Sequence, residues 1–228
     1  WWDLTICTKK YVLTMDQEID LINKNTRNER IINFIKKNYK IFILSISLII
    51  IIILLFFGLE YLNKKKNIKL SNTYNNIISS YELKNKNFVI EELKNIIEQK
   101  NKTYSPLSLF FLIDNDLITS KVEINNYFDL IIDNIKLEKE IKNLIIYKKA
   151  LYNSDSISED QLILILNPII NSDSIWKSHS LYLLGEYFFS KGENQKAKEF
   201  FQKILTSQNS NEQIILEAQK RLKRDLSE

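Results

Sequence analysis

The chain has 228 residues, enough for one domain of ordinary size together with a membrane anchor. It contains only 3 Gly and 2 Pro, which argues against sandwiches, barrels and Rossmann-like folds, because their turns need these residues. Residues 1–69 carry 12 Lys/Arg against 6 Asp/Glu, whereas residues 70–228 carry 20 Lys/Arg against 22 Asp/Glu. The C-terminal part therefore lacks the basic face of a nucleic-acid-binding domain, and we predict no nucleic-acid partner.

The N-terminal residues divide at the only methionine, Met15. We interpret residues 1–14, which contain the only cysteine, Cys7, as an upstream translated extension, so that the natural protein would start at Met15. A single cysteine cannot form an intramolecular disulfide. Residues 15–40 form a short segment with a basic end, and its lysines and arginines can contact anionic lipid headgroups.

An uncharged apolar run of 19 residues, Ile41–Leu59, predicts a transmembrane helix. As a helix it would span about 28 Å, close to the hydrocarbon thickness of a bilayer. Lys40 and Lys64 belong to lysine clusters that flank the run, and nothing near its end resembles a signal-peptidase site. A buried core helix and a cleaved signal peptide are the alternatives. The flanking charges are nearly balanced and leave the orientation open.

Residues 60–69 are predicted to be a basic linker, and residues 70–228 a domain of helical hairpins. Apolar residues recur there at intervals of three and four, which is typical of amphipathic helices. The second helices of successive hairpins start about 36 residues apart, and such a period indicates stacked hairpins. The predicted helices are 66–84, 87–100, 106–119, 122–135, 137–152, 158–170, 175–190, 194–207 and 211–224.

The last complete hairpin, residues 180–205, resembles the tetratricopeptide repeat (TPR). Small residues at Gly185 and Ala197 would let its two helices approach closely, and Gly192 would permit the turn between them. The predicted repeat-packing residues are Leu181, Leu184, Gly185, Phe188, Gly192, Ala197 and Phe201. The resemblance implies a TPR-like, right-handed stack.

The earlier hairpins are degenerate, because none of them has the pair of Gly and Ala. We therefore expect their helices to pack less closely. The predicted packing residues are Tyr74, Ile78, Tyr81, Phe88, Ile90, Leu93 and Ile97 in the first hairpin, and Leu107, Phe110, Phe111, Leu117, Ile124, Phe128 and Ile131 in the second.

From Met15 onward the layout resembles a bacterial family, the ancillary SecYEG translocon subunits, whose TPR-like domain is shared with cell-division coordinators. The motifs that carry the resemblance are MDQEIDLINKNTRNERIINFIKKNYK, a single span, the basic NKKK, and LLGEYFFSKGENQKAKEFFQKIL. It implies an inner-membrane protein with a cytoplasmic N-terminus and a periplasmic C-terminal domain. The implied partners are Sec translocon subunits and periplasmic chaperones or exported clients. A division coordinator, a receptor with a cytoplasmic domain and an anchored enzyme are the alternatives.

The sequence offers little for catalysis, and we predict neither enzymatic activity nor a metal or cofactor. His179 is the only histidine, which excludes His-His and His-Cys metal sites, and no Gly-rich phosphate loop is present. We predict a peptide-binding groove on the first helix of the last hairpin, formed by His179, Tyr182, Glu186 and Phe189. The alternative is that the C-terminal helix, residues 212–222, covers Tyr182 and Phe189.

Overall fold

The computed structural model describes residues 29–83, 85–207 and 210–226, which are almost entirely helical and include no strand. This confirms the all-α fold class. Residues 29–37 are helical, and a 3₁₀ turn covers Tyr81–Leu83. The predicted extension and the first half of the basic segment lie outside the described residues. The α-helices are α1 (Tyr39–Ser79), α2 (Lys86–Glu98), α3 (Tyr104–Asp114), α4 (Lys121–Asn134), α5 (Lys139–Asn153), α6 (Glu159–Ile170), α7 (Lys177–Ser190), α8 (Asn194–Thr206) and α9 (Glu212–Arg224).

The chain divides into two compact units, residues 1–66 and 67–228. Helix α1 begins in the first unit and is long and apolar enough to cross a membrane. None of its most apolar window is buried within the described chain, whereas the core helix of the alternative would be mostly buried. Ile41, Leu54 and Leu59 are each more than 60% exposed.

Helix α1 continues through the predicted linker at residues 60–69. No Gly or Pro occurs between Leu59 and Ser79, so the sequence gives the helix no reason to stop there. The second unit begins at Asn67, slightly before the predicted start at residue 70. Leu70 and Ile77 of α1 are already buried in its core.

In the second unit, each helix from α2 to α8 packs against the next helix in the chain, and α9 also packs against α7. The most extensive contact between described helices joins α7 and α8, which form the hairpin predicted to pack most closely. Two clusters of buried side chains form the core. One contains residues of α1 to α4 with Ile145 of α5, and the other contains residues of α5 to α9.

Side-chain and backbone caps explain several helix ends. Ser158 and Gln161 form a reciprocal capping box at the start of α6, and Asn211 accepts two backbone N–H groups at the start of α9. Helix α3 ends at Asp114, earlier than the predicted 119. Asp116 adopts a left-handed conformation (φ 51°), and the Leu117 N–H bonds to the Leu112 carbonyl at 2.9 Å. The Asp116 N–H also bonds to the Ile113 carbonyl at 3.0 Å, and the two bonds form a Schellman motif, which terminates the helix.

Candidate functional site: the faces of α3, α5 and α7

The predicted packing residues of the last hairpin lie in its core. Leu184, Phe188, Ala197 and Phe201 are at most 1% exposed, and Leu181 is also buried. At Gly185 the two helices approach so closely that a Cβ atom would lie 2.6 Å from Cε1 of Phe201. The sequence thus identified a close approach between these helices, where only glycine fits without displacing the buried ring.

Gly192 forms the turn of this hairpin. Its φ of 77° lies in the left-handed region, which side chains disfavour. The Gly192 N–H bonds to the Phe189 carbonyl at 3.0 Å, and the Glu193 N–H bonds to the Phe188 carbonyl at 2.9 Å. These two bonds form a Schellman motif, so Gly192 terminates α7 as predicted.

The predicted groove on α7 lies against the C-terminal helix α9. Arg221 of α9 donates from Nε to Oε1 of Glu186 at 2.7 Å, and from Nη2 to Oε2 of the same carboxylate. The Arg221 guanidinium also lies 5.0 Å from the ring centroid of Phe189. Tyr182 is partly buried beside this pair, with its ring centroid 5.4 Å from that of Phe201. The sequence left open whether this face of α7 is a free groove or lies under the C-terminal helix, and the structure shows α9 packed against it.

The Arg221–Glu186 pair is the best-formed ionic contact between helices in this region. It is bidentate, and both side chains are at most 30% exposed, so it is stronger than an ordinary surface ion pair. Arg221 also donates to Asp225 at 2.8 Å, within α9 and its C-terminal cap. Hydrogen bonds from Arg224 and Arg221 hold the pKa of Asp225 well below its usual range.

His179, the fourth residue of the predicted groove, lies in an aromatic cluster between α5 and α7. Its ring centroid is 5.2 Å from that of Trp176 and 6.0 Å from that of Tyr147. The rings of Tyr147 and Trp176 stack at 5.9 Å. Burial lowers the pKa of His179, which favours the neutral form of the ring in this aromatic cluster.

Sequence reasoning missed an open cleft between α3 and α5, which we call the α3–α5 cleft. Its volume is about 500 Å³. Leu107 and Ile141, on opposite helices, are 41% and 44% exposed although both are large and apolar. The residues that line the cleft are Lys102, Thr103, Pro106, Leu107, Phe110, Lys136, Leu137, Glu138, Ile141, Leu144 and Ile145.

Two residues that were predicted to pack between helices are instead exposed. Phe88 is 48% exposed on α2, and Leu107 lines the cleft. An apolar residue on an amphipathic helix has the same sequence pattern whether a neighbour covers it or not. Ile141 and Leu144 occupy the same places in α5 as His179 and Tyr182 in α7, so counting from the helix start would have marked them as candidates, but not that the cleft stays open.

Among the described residues, no three His, Cys, Asp or Glu side chains come together as metal ligands would. The sequence matches no protein-family model, and searches of curated proteins and of solved structures give no match. The case for function therefore depends on the geometry of the described residues and on the resemblance stated above.

Proposed function

We propose that this chain is a membrane-anchored scaffold for protein–protein interactions, built as a TPR-like, right-handed stack of helical hairpins. The observation that carries the proposal is an exposed apolar helix in one unit together with a helical unit that leaves a large apolar cleft open. The exposed apolar helix suits insertion into a bilayer, and the apolar cleft suits the binding of a peptide. The close approach at Gly185 and the turn at Gly192 support the TPR-like arrangement.

By its resemblance to the ancillary SecYEG subunits, we place the chain in the inner membrane, with its N-terminus in the cytoplasm and its helical unit in the periplasm. There it would act in protein export beside the Sec translocon and contact periplasmic chaperones or exported clients. The same helical unit would also suit a cell-division or envelope coordinator, which is the alternative.

Co-purification from native membranes in a mild detergent tests this proposal. We expect a tagged full-length chain to recover the translocon core at a level well above that of an unrelated single-pass protein with the same tag. Recovery of division proteins without the translocon would favour the alternative. Recovery of neither would contradict the proposed place in export.

A further inference from the structure

The alternate helices α3, α5, α7 and α9 contact one another differently along the second unit. Between α7 and α9, the Arg221–Glu186 pair bridges the two helices. Between α5 and α7, the ring of Tyr147 contacts Trp176 and His179. Between α3 and α5 the cleft stays open, although the Lys148 amino group reaches to 5.8 Å from the centroid of the Phe110 ring.

Helices α5 and α7 carry opposite charges at corresponding positions, Lys148 in α5 and Glu186 in α7. Lys148 and Glu186 each lie nine residues after the first residue of their helix, α5 and α7 respectively. Glu186 is paired with Arg221, whereas Lys148 forms no ion pair with any described residue. The same holds for Lys102 and Lys136, which line the cleft.

The cleft is therefore apolar inside and predominantly basic at its edge. Glu138, the N-cap residue of α5, is the carboxylate in the lining, against Lys102 and Lys136. Leu107 and Ile141 offer exposed apolar surface between these charges. A ligand that completes the contact between α3 and α5 must supply apolar side chains and negative charge together.

We propose that the α3–α5 cleft binds a segment of a partner protein in which large apolar side chains are flanked by Asp or Glu. This inference deepens the proposed scaffold function and depends on it. Apolar side chains would bury Leu107 and Ile141, and carboxylates would pair with Lys102, Lys136 and Lys148. Charge complementarity of this kind selects a partner and accelerates its association, while the apolar contacts supply most of the affinity.

The test measures fluorescence anisotropy of labelled peptides with the full-length chain in nanodiscs of zwitterionic lipid. One peptide contains Leu and Phe flanked by Glu, and two matched peptides replace every Glu with Gln or with Lys. We expect the Glu peptide to bind at least about tenfold more tightly than the Lys peptide, a difference of about 1.4 kcal/mol. Equal binding of the two, or no binding of any peptide, would overturn the inference.

Variants localise the binding to the cleft. L107D and I141D, which alter exposed side chains, should each weaken binding of the Glu peptide by about tenfold or more. L164D, at a 72% exposed position on α6, is the matched control and should bind as the wild type does. If L107D and I141D also bind normally, the peptide lies elsewhere, for example on the lysines beside the anchor, and the inference fails.

A charge reversal separates recognition from loss of folding. The triple variant K102E/K136E/K148E changes only exposed lysines, so its helicity should match that of the wild type. It should prefer the Lys peptide over the Glu peptide. An unchanged preference would contradict the role of these lysines. Recovery of the translocon core tests the proposed function separately, because it does not require this cleft to be the contact site.

Discussion

Replacing Gly185 with alanine tests how closely α7 and α8 approach each other. The added Cβ would lie 2.6, 2.8 and 2.9 Å from three ring carbons of Phe201. The shortest of these separations is about 1 Å below the optimum for two carbon atoms. Phe201 has no exposed surface, and Tyr182 lies beside its ring, so the ring can move only if its neighbours move too.

Two opposing effects set the magnitude for G185A. Overpacking a core costs about 1–3 kcal/mol, whereas alanine gains about 1 kcal/mol over glycine from helix propensity. Because all three separations are below 3.0 Å, the upper part of the overpacking cost, about 2–3 kcal/mol, applies here. After subtraction of the gain in helix propensity, we expect the free energy of unfolding to fall by about 1–2 kcal/mol. For a unit of this size, each kcal/mol lowers the melting temperature by about 2–4 °C.

Denaturation of the full-length chain in mild detergent, followed by circular dichroism, measures this change. The matched control is G58A in α1, where a Cβ would meet no atom within 4 Å, and it should leave the transition of the helical unit unchanged. Adding F201L to G185A should recover part of the loss, with a coupling energy of about 0.5–3 kcal/mol. A G185A protein as stable as the wild type would refute the close approach.

Other substitutions test the turn, the contact with α9 and the aromatic cluster. G192A should lower the free energy of unfolding by about 1 kcal/mol, because Gly192 has a φ of 77°. D116G should raise it slightly, because Asp116 has a φ of 51°, a conformation that glycine adopts more easily. Denaturation midpoints that do not move in opposite directions would contradict this reasoning. E186Q should destabilise the unit by about 1 kcal/mol and increase proteolysis of α9, because it weakens the bidentate bond to Arg221; unchanged cleavage would show that α9 is held by other contacts. Burial lowers the pKa of His179 in the folded chain, so the unfolded chain binds a proton at higher pH than the folded chain does. The stability linked to this group is therefore present above about pH 6.5, the ordinary pKa of histidine, and is lost as the pH falls below it. H179N should therefore show a weaker decline in its denaturation midpoint between about pH 7.5 and pH 5.5 than the wild type, and an identical decline would exclude His179 as its source.

Most of the helices could be predicted from the sequence, because the spacing of apolar residues along an amphipathic helix is a local property. The close approach at Gly185 was also predicted, since small residues at repeat spacing in both helices imply that the helices come close together. The continuation of α1 through residues 60–65 was not predicted, because a lysine-rich stretch suggested a linker although no helix-breaking residue is present.

The candidate sites were harder to predict because they depend on pairing between distant helices. Arg221 is 35 residues from Glu186, and nothing in either local sequence shows that the two side chains meet. The α3–α5 cleft was missed for a related reason. Leu107 and Phe110 have the spacing of core residues, and only the position of α5 shows that Leu107 remains exposed.

Alkaline extraction of membranes tests the proposed membrane anchor most directly. We expect the full-length chain to stay in the membrane pellet after carbonate treatment. A variant with I50K and I53K, which places two charges within the apolar run, should be released into the supernatant, because charges at the bilayer centre are costly. Release of the unmodified chain under the same conditions would contradict the claim that residues 41–59 span the bilayer.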